Sequence, residues 1–241
     1  MSNTLDNNNA LTAAASRAFF RSVYTYMFGA LGISGIIAYS AGNKEFIETY
    51  FISDGAATPL FWVVVFAPVG LGLLIQMAYN KLSLGFLTIL FIAYSALMGL
   101  SLSTIFLVYS MGAIASTFFV TAGAFAGMAI LGYTTKTDLT KFGSLLYMVF
   151  IGMFIAGIVN IFMKSDSMGF IIACLGVFVF TGLTAYSMQQ LKGVSESPDY
   201  SEEQRNKLAL IGGLQLYILF INLFLSLLRI FGSRNWLLRL R

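Results

Sequence analysis

The side chains that could act as nucleophile, acid or base in this chain are few, and their types exclude the common catalytic arrangements. The 241 residues include no histidine and one cysteine, Cys174. Without histidine neither a Ser-His-Asp nor a Cys-His nucleophile can be assembled, and one cysteine cannot supply a zinc site. No GxSxG sequence and no phosphate-binding loop motif occurs. The sequence therefore predicts a protein that is not an enzyme and that has neither a metal site nor a cofactor.

Carboxylates could still bind cations or relay protons, and the chain has ten acidic residues. An ionisable side chain inside a membrane span is costly and is usually kept for a function. None of the ten falls inside the long apolar stretches of the sequence, and Arg229 stands only at the end of the last stretch. A carboxylate proton relay or a calcium site at membrane depth therefore has no ligands in this sequence.

Neutral amides are the polar groups that remain within the apolar stretches. Four of them are candidate polar residues at membrane depth: Asn160, Gln189, Gln215 and Asn222. Such groups commonly form hydrogen bonds between helices, each contributing on the order of 1 kcal/mol. The alternative is that Asn160 and Asn222 line a narrow polar path. The sequence leaves both interpretations open.

The elements that carry these residues are long and apolar. Hydrophobic residues make up 58% of the chain and charged residues 10%, whereas globular domains carry roughly 25% charged residues. Seven apolar stretches, each near the ~20 residues that span a bilayer, run at about 23–41, 60–79, 84–109, 112–132, 143–163, 168–188 and 208–231. The sequence predicts an all-α integral membrane protein with seven transmembrane helices and no affinity for nucleic acid.

The ends of the chain and the small residues of the spans carry further predictions. Residues 1–22 are predicted to be a disordered cytoplasmic lead without a signal peptide, and residues 233–241 a basic interfacial tail. Ser201 is expected to open the last helix.

Small residues at short spacing predict faces where helices approach closely. They occur in three groups: Gly29, Gly32 and Gly35; Ser95, Gly99 and Ser103; Gly123 and Gly127.

The distribution of Lys and Arg predicts the orientation. With the N-terminus in the cytoplasm, eight of them lie on the cytoplasmic side: Arg17, Arg21, Lys81, Lys136, Lys141, Lys192, Arg205 and Lys207. Lys44 and Lys164 lie on the opposite side, followed by the tail residues Arg229, Arg234, Arg239 and Arg241. We therefore expect the C-terminus on the opposite face. The alternative is a re-entrant last stretch with both ends in the cytoplasm.

Four stretches of sequence resemble the Bax-inhibitor family, also called the transmembrane Bax inhibitor motif family, in its bacterial form. They are YSALMGLSLSTIF from Tyr94, LGYTTKTDLTKFGSLLYMVFIGMFIAGIVNIF from Leu131, GLTAYSMQQLK from Gly182 and LQLYILFINLFLSLLRIFG from Leu214. The resemblance covers roughly residues 19–232. It implies six helices in two layers of three around a central seventh helix, within the bacterial inner membrane.

The same resemblance implies a function, but the sequence differs from the family at two positions on which that function depends. Family members are associated with a pH-sensitive calcium leak, attributed to two aspartates that share a proton, and some bacterial members modulate a membrane protease. The positions that match the two aspartates are Ser187, in AYSMQQ, and Leu219, in LYILFINLF. We expect a calcium or cation leak that lacks the di-aspartate pH switch. The alternative is a non-transporting protein that binds a membrane protease or another membrane protein.

Overall fold

The computed structural model describes residues 2–53 and 56–232, with side chains described for residues 13–52 and 56–232. In chain order the elements are α1 Ser2–Ala41, α2 Lys44–Tyr50, β1 Ile52–Ser53, β2 Ala56–Ala57, α3 Pro59–Ala78, α4 Leu84–Leu102, α5 Ile105–Val108, α6 Met111–Thr134, α7 Thr140–Met163, α8 Asp166–Glu196 and α9 Glu202–Gly232. Strands β1 and β2 pair as a short antiparallel hairpin. The predicted basic tail, residues 233–241, lies outside the described residues.

Seven helical segments of the described chain are long and apolar enough to cross a membrane: Ala13–Ala41, Pro59–Ala78, Leu84–Val108, Met111–Thr134, Thr140–Met163, Asp166–Glu196 and Glu202–Gly232. Their outward surfaces are apolar, since Met77, Phe119 and Phe162 are 82%, 74% and 81% exposed. Water would expel such side chains, whereas lipid solvates them. The predicted seven-span all-α membrane fold is confirmed. The arrangement of six helices in two layers around a seventh stays a prediction.

The first helix begins earlier than the sequence predicts. A disordered lead was predicted over residues 1–22, but α1 starts at Ser2 and its membrane segment at Ala13. Phe19 and Phe20 are buried, and the buried Ser16 Oγ lies 2.8 Å from Ser195 Oγ. Four alanines between residues 10 and 15 favour helix, and the two buried phenylalanines contribute apolar burial that extends it.

The third span contains a break that the sequence analysis did not predict. The stretch 84–109 was expected to be one helix, but α4 ends at Leu102 and the single turn of α5 begins at Ile105. Ser103 Oγ donates to the carbonyl of Leu100, and Thr104 Oγ1 donates to that of Ser101. These hydroxyls offer the backbone carbonyls an alternative to regular helical hydrogen bonds, which bends or interrupts a helix.

The last two helices are longer than their apolar stretches. The predicted spans 168–188 and 208–231 lie inside α8 and α9, which add polar turns at their facing ends. Helix α9 begins as predicted after Ser201, whose Oγ accepts from the N–H of Gln204 while the Gln204 Oε1 accepts from the N–H of Ser201. This reciprocal pair of hydrogen bonds is a capping box, which pairs backbone N–H groups at the start of α9 with side chains of the same turn.

The helices form two compact units. The first unit comprises the chain up to Val108 together with Val194–Tyr217. Here α1 packs on α4, because Gly99 brings α4 against the backbone of Ser34 so closely that an added Cβ would lie 2.7 Å from the Ser34 carbonyl oxygen. A small apolar cluster of Ile47, Phe51 and Val64 anchors the segment between α1 and α3.

The second unit comprises Tyr109–Gly193 and the chain from Ile218. Helix α6 meets α8 where Gly132 lies against the backbone of Ala185, and α7 meets α8 where Gly143 lies under the ring of Tyr186. The face of α9 that meets α6 is aromatic. The rings of Phe118 and Phe125 pack edge-on at 5.4 and 5.5 Å from that of Phe220.

Candidate functional site

The two positions that match the family's aspartates both lie in the second unit and are both buried. Ser187 is on α8 and is 0% exposed, and Leu219 is on α9 and is 5% exposed. The buried run of α8 around Ser187 is enclosed by α6 at Gly132 and by α7 at Gly143. Neither side chain carries a charge near neutral pH. No proton can therefore be shared between these two positions.

Two of the four candidate amides bond to backbone groups in the connections between helices. Gln189 Nε2 donates to the Thr137 carbonyl at 2.7 Å, and its Oε1 accepts from the N–H of Leu139 at 2.8 Å. It thereby fixes the connection between α6 and α7. Asn160 Oδ1 accepts from the N–H of Ser165 at 3.1 Å, just after α7 ends. Both amides satisfy backbone groups that a helix end leaves unpaired, which is a structural role.

The remaining two candidates both lie on α9. Asn222, in the second unit, is half-buried and its Nδ2 donates to the Ile218 carbonyl of the preceding turn at 2.8 Å. The next turn repeats the pattern, since Ser226 Oγ donates to the Asn222 carbonyl at 2.8 Å. Gln215 is half-buried in the first unit. Within the second unit, Asn160, Gln189 and Asn222 each bond to a different backbone group.

A cavity of about 210 Å³ lies between α7, α8 and α9, beside Asn222. Its polar lining is confined to α9 and consists of Asn222, Ser226 and Arg229. The Arg229 guanidinium packs against Gly169 at the start of α8, where any Cβ would overlap it. Burial raises the pKa of Tyr109, in the connection before α6, and the nearby positive charge of Arg229 lowers it in part.

The first unit contains a buried hydroxyl cluster that the sequence does not predict. Ser34 Oγ donates to the Ser95 carbonyl at 2.8 Å and lies 2.5 Å from the Tyr217 hydroxyl. The ring of Tyr94 stands edge-on to that of Tyr217 at 5.9 Å. All four residues are at most 3% exposed. No sequence signal could have found the cluster, because Ser34 and Tyr217 are 183 residues apart.

The acidic side chains of the described chain are all exposed. Within the described residues no three His, Cys, Asp or Glu side chains lie close enough to hold a metal ion, and Cys174 is exposed. In the connection between α6 and α7, Asp138 Oδ1 accepts hydrogen bonds from the Thr140 hydroxyl and backbone N–H. These bonds hold the pKa of Asp138 below its usual range.

The seven long apolar helices of the described chain define a multi-pass α-helical membrane protein. The family described as "Inhibitor of apoptosis-promoting Bax1" matches residues 16–236. The chain therefore belongs to the Bax inhibitor family.

Bacterial relatives match almost the whole chain. The Inner membrane protein YbhL of Escherichia coli is 41% identical over 224 residues, which cover 92% of this chain and 94% of YbhL. An uncharacterised protein of Borreliella burgdorferi is 42% identical over 217 residues, 90% of this chain and 92% of that protein. A Rickettsia prowazekii protein, RP147, is 36% identical over 232 residues, 96% of each.

Proposed function

We propose that this protein acts in the bacterial inner membrane by binding another membrane protein, such as a membrane protease, and that it does so without enzymatic activity or ion transport. The inner-membrane location follows from its similarity to YbhL. The absence of histidine from the sequence removes the usual nucleophile–base pairs. The neutral, buried Ser187 and Leu219 argue against the carboxylate-gated calcium leak associated with the family.

The observation that carries the binding proposal is the open face of α1. Gly29, Gly32 and Gly35 are exposed, and nothing lies within 4 Å of a Cβ added at any of them. On the same side of the helix Phe28 and Tyr39 are 63% and 68% exposed. Glycines flanked by large apolar side chains form a notch into which a second transmembrane helix can pack closely. We call this surface, Phe28 to Tyr39, the glycine face.

The polar groups of the described spans support the same proposal. Gln189 bonds to backbone in the connection between α6 and α7, Asn160 bonds to backbone just after α7, and Asn222 bonds within its own helix. A conduction path needs polar groups that can exchange their partners with a passing ion. Amides whose hydrogen bonds go to backbone groups are poor candidates for this exchange, and we therefore assign them to helix packing.

Site-directed photocrosslinking in native membranes tests the binding proposal. A photoreactive residue at Ile36, 70% exposed on the glycine face, is expected to crosslink to a second membrane protein. The matched control places the same residue at Met77 of α3, which is 82% exposed, and should capture lipid alone. Gly32→Leu fills the open notch and should abolish the adduct at Ile36. Equal adducts at both positions, or adducts with the chain itself only, would contradict the proposal.

A cation leak without the pH switch is the second candidate function. The cavity beside Asn222 and Ser226 favours it, since polar side chains line an opening among three spans. Calcium-loaded vesicles containing the purified protein would then lose calcium faster than empty vesicles, at a rate independent of pH between 5 and 8. Ser187→Asp combined with Leu219→Asp is expected to add a pH response. Flux equal to that of empty vesicles eliminates the leak and leaves the binding proposal standing.

A further inference from the structure

The second unit contains a continuous groove on its lipid-facing side. The cavity of about 210 Å³ beside Asn222 adjoins a second of about 490 Å³, and Met153 and Ile172 line both. The second cavity has an entirely apolar lining supplied by α7 and α8, including Gly152. Ile171 and Leu175 form part of its wall and are 57% and 44% exposed. The groove is therefore open to the acyl region of the bilayer.

One end of the groove carries a positive charge. Arg229 lines the smaller cavity three residues before α9 ends at Gly232, and its guanidinium rests on Gly169 near the start of α8. Two helix ends meet here, so this end lies at the depth of the lipid headgroups. The ion pairs formed among the described residues are Lys44–Glu48 and Lys207–Glu203. Within that part of the chain, Arg229 has no carboxylate partner.

The charge and the lining of the groove together indicate which kind of ligand it can bind. A guanidinium that has no carboxylate partner among the described residues favours a phosphate group, which it can bind through two parallel hydrogen bonds. The apolar remainder of the groove favours a hydrocarbon chain, since neither cavity has polar lining away from α9. Basic pockets between transmembrane helices bind anionic headgroups for the same reason.

We propose that this groove binds one acyl chain of an anionic phospholipid and that the Arg229 guanidinium holds the phosphate of that lipid. Gly169 is a positioning residue, because only the absence of a side chain lets the guanidinium rest on α8. The proposal does not depend on the partner protein or on ion transport.

Lipid titration of the purified full-length protein tests the site. The delipidated protein in a mild detergent is titrated with dioleoyl phosphatidylglycerol or dioleoyl phosphatidylcholine, and bound lipids are counted by native mass spectrometry. Phosphatidylglycerol is expected to bind about tenfold more tightly, as a charge-assisted contact allows. Arg229→Gln should reduce this preference to none, and Arg229→Lys should retain part of it. The matched control Lys164→Gln removes a cation from the connection before α8 and should leave the preference unchanged.

A second pair of variants tests the acyl part of the groove. Gly152→Leu fills the larger cavity at a position where nothing lies within 4 Å of a Cβ, so the fold is expected to survive. It should weaken the binding of both lipids several-fold. Gly157→Leu is the matched control on the same helix, where likewise nothing lies within 4 Å of a Cβ and which is outside the groove lining. Unchanged melting temperatures verify folding for all variants.

Three results would overturn the proposal. The first is an undiminished preference for phosphatidylglycerol in Arg229→Gln. The second is equal lipid binding by the two glycine variants. The third is full competition by soluble glycerol phosphate, which would mean that the groove binds a phosphate without an acyl chain.

Discussion

The two compact units place their polar groups differently. In the first unit, Ser34 and Tyr217 form a hydrogen-bonded cluster in the fully buried interior. In the second, the interior positions Ser187 and Leu219 carry no titratable group, and most of the described polar contacts lie at the ends of the helices, as at Gln189. Buried hydrogen bonds fix the register of helices without conferring any response to pH. The difference indicates that the buried polar groups of the first unit serve packing, and that the buried positions Ser187 and Leu219 of the second unit offer no group that titrates near neutral pH.

Glycine contacts offer the strongest test of the second unit. Gly132→Ala places a Cβ on the backbone of Ala185, so α6 and α8 must separate. We expect a loss of about 3 kcal/mol in the free energy of unfolding. Gly127→Ala on the same helix meets open space and should be neutral or stabilising by up to about 1 kcal/mol. Denaturation in mixed micelles measures both. Similar stabilities for the two variants would contradict the close approach of α6 and α8.

The corresponding substitution in the first unit extends this comparison. Gly99→Ala brings a Cβ to 2.7 Å from the Ser34 carbonyl oxygen, and it also displaces the segment that holds the hydroxyl cluster. We expect a loss of about 2 kcal/mol. The same denaturation measurement applies, with Gly85→Ala, an open position on α4, as the control. A loss confined to Gly132→Ala would show that only the second unit depends on glycine contacts.

Removing single hydroxyls compares the polar groups of the two units directly. Tyr217→Phe removes the contact with Ser34 and should cost about 1 kcal/mol, as interhelical hydrogen bonds in membranes do. Tyr186→Phe in the second unit removes the contact with Gln190, which is exposed and can bond to water instead. Its cost should be smaller. Equal losses in the free energy of unfolding for the two variants would mean that the burial of the Ser34–Tyr217 contact adds nothing to its strength.

The smallest effect is expected at Asp138, in the connection between α6 and α7. Thr140→Ala removes the hydroxyl that bonds to the carboxylate, so the depressed pKa of Asp138 should rise towards its ordinary value. A carboxyl group whose pKa is lower in the folded state than in the unfolded state stabilises the fold at any pH above its unfolded-state pKa. This stabilisation is lost as the pH falls through its folded-state pKa. The variant should therefore lose less stability on acidification than the parent. NMR titration of Asp138 would detect an unchanged pKa, which would contradict this assignment.

The sequence predicted the spans because an apolar helix must match the bilayer thickness, a one-dimensional constraint that composition records. It did not predict the break at Ser103 and Thr104. This break depends on two hydroxyl groups that bond to backbone carbonyls of the preceding turn in place of backbone N–H groups. It also did not predict the packed helix around Phe19, because polar neighbours in the sequence concealed an apolar face.

The candidate site was predictable where it depended on residue type and not where it depended on contacts. The neutrality of Ser187 and Leu219 can be read from the sequence, and the structure adds that both are buried. Glycine spacing did not separate close contacts from open faces. Gly99 touches another helix whereas Gly29 and Gly127 meet nothing, because the partner of a glycine lies far away in the sequence.

Arg205 has a practical consequence for experiments on this protein. Its guanidinium donates hydrogen bonds to the carbonyls of Ser195, Ser197 and Tyr200. These bonds hold the connection between α8 and α9 in a compact loop. Three of the bonds that fold this hydrophilic loop converge on one side chain. An epitope tag inserted between residues 197 and 200 would disrupt them together, and trypsin should cleave at Arg205 slowly. The same loop offers a folding reporter, since rapid tryptic cleavage there would mark misassembled protein during purification.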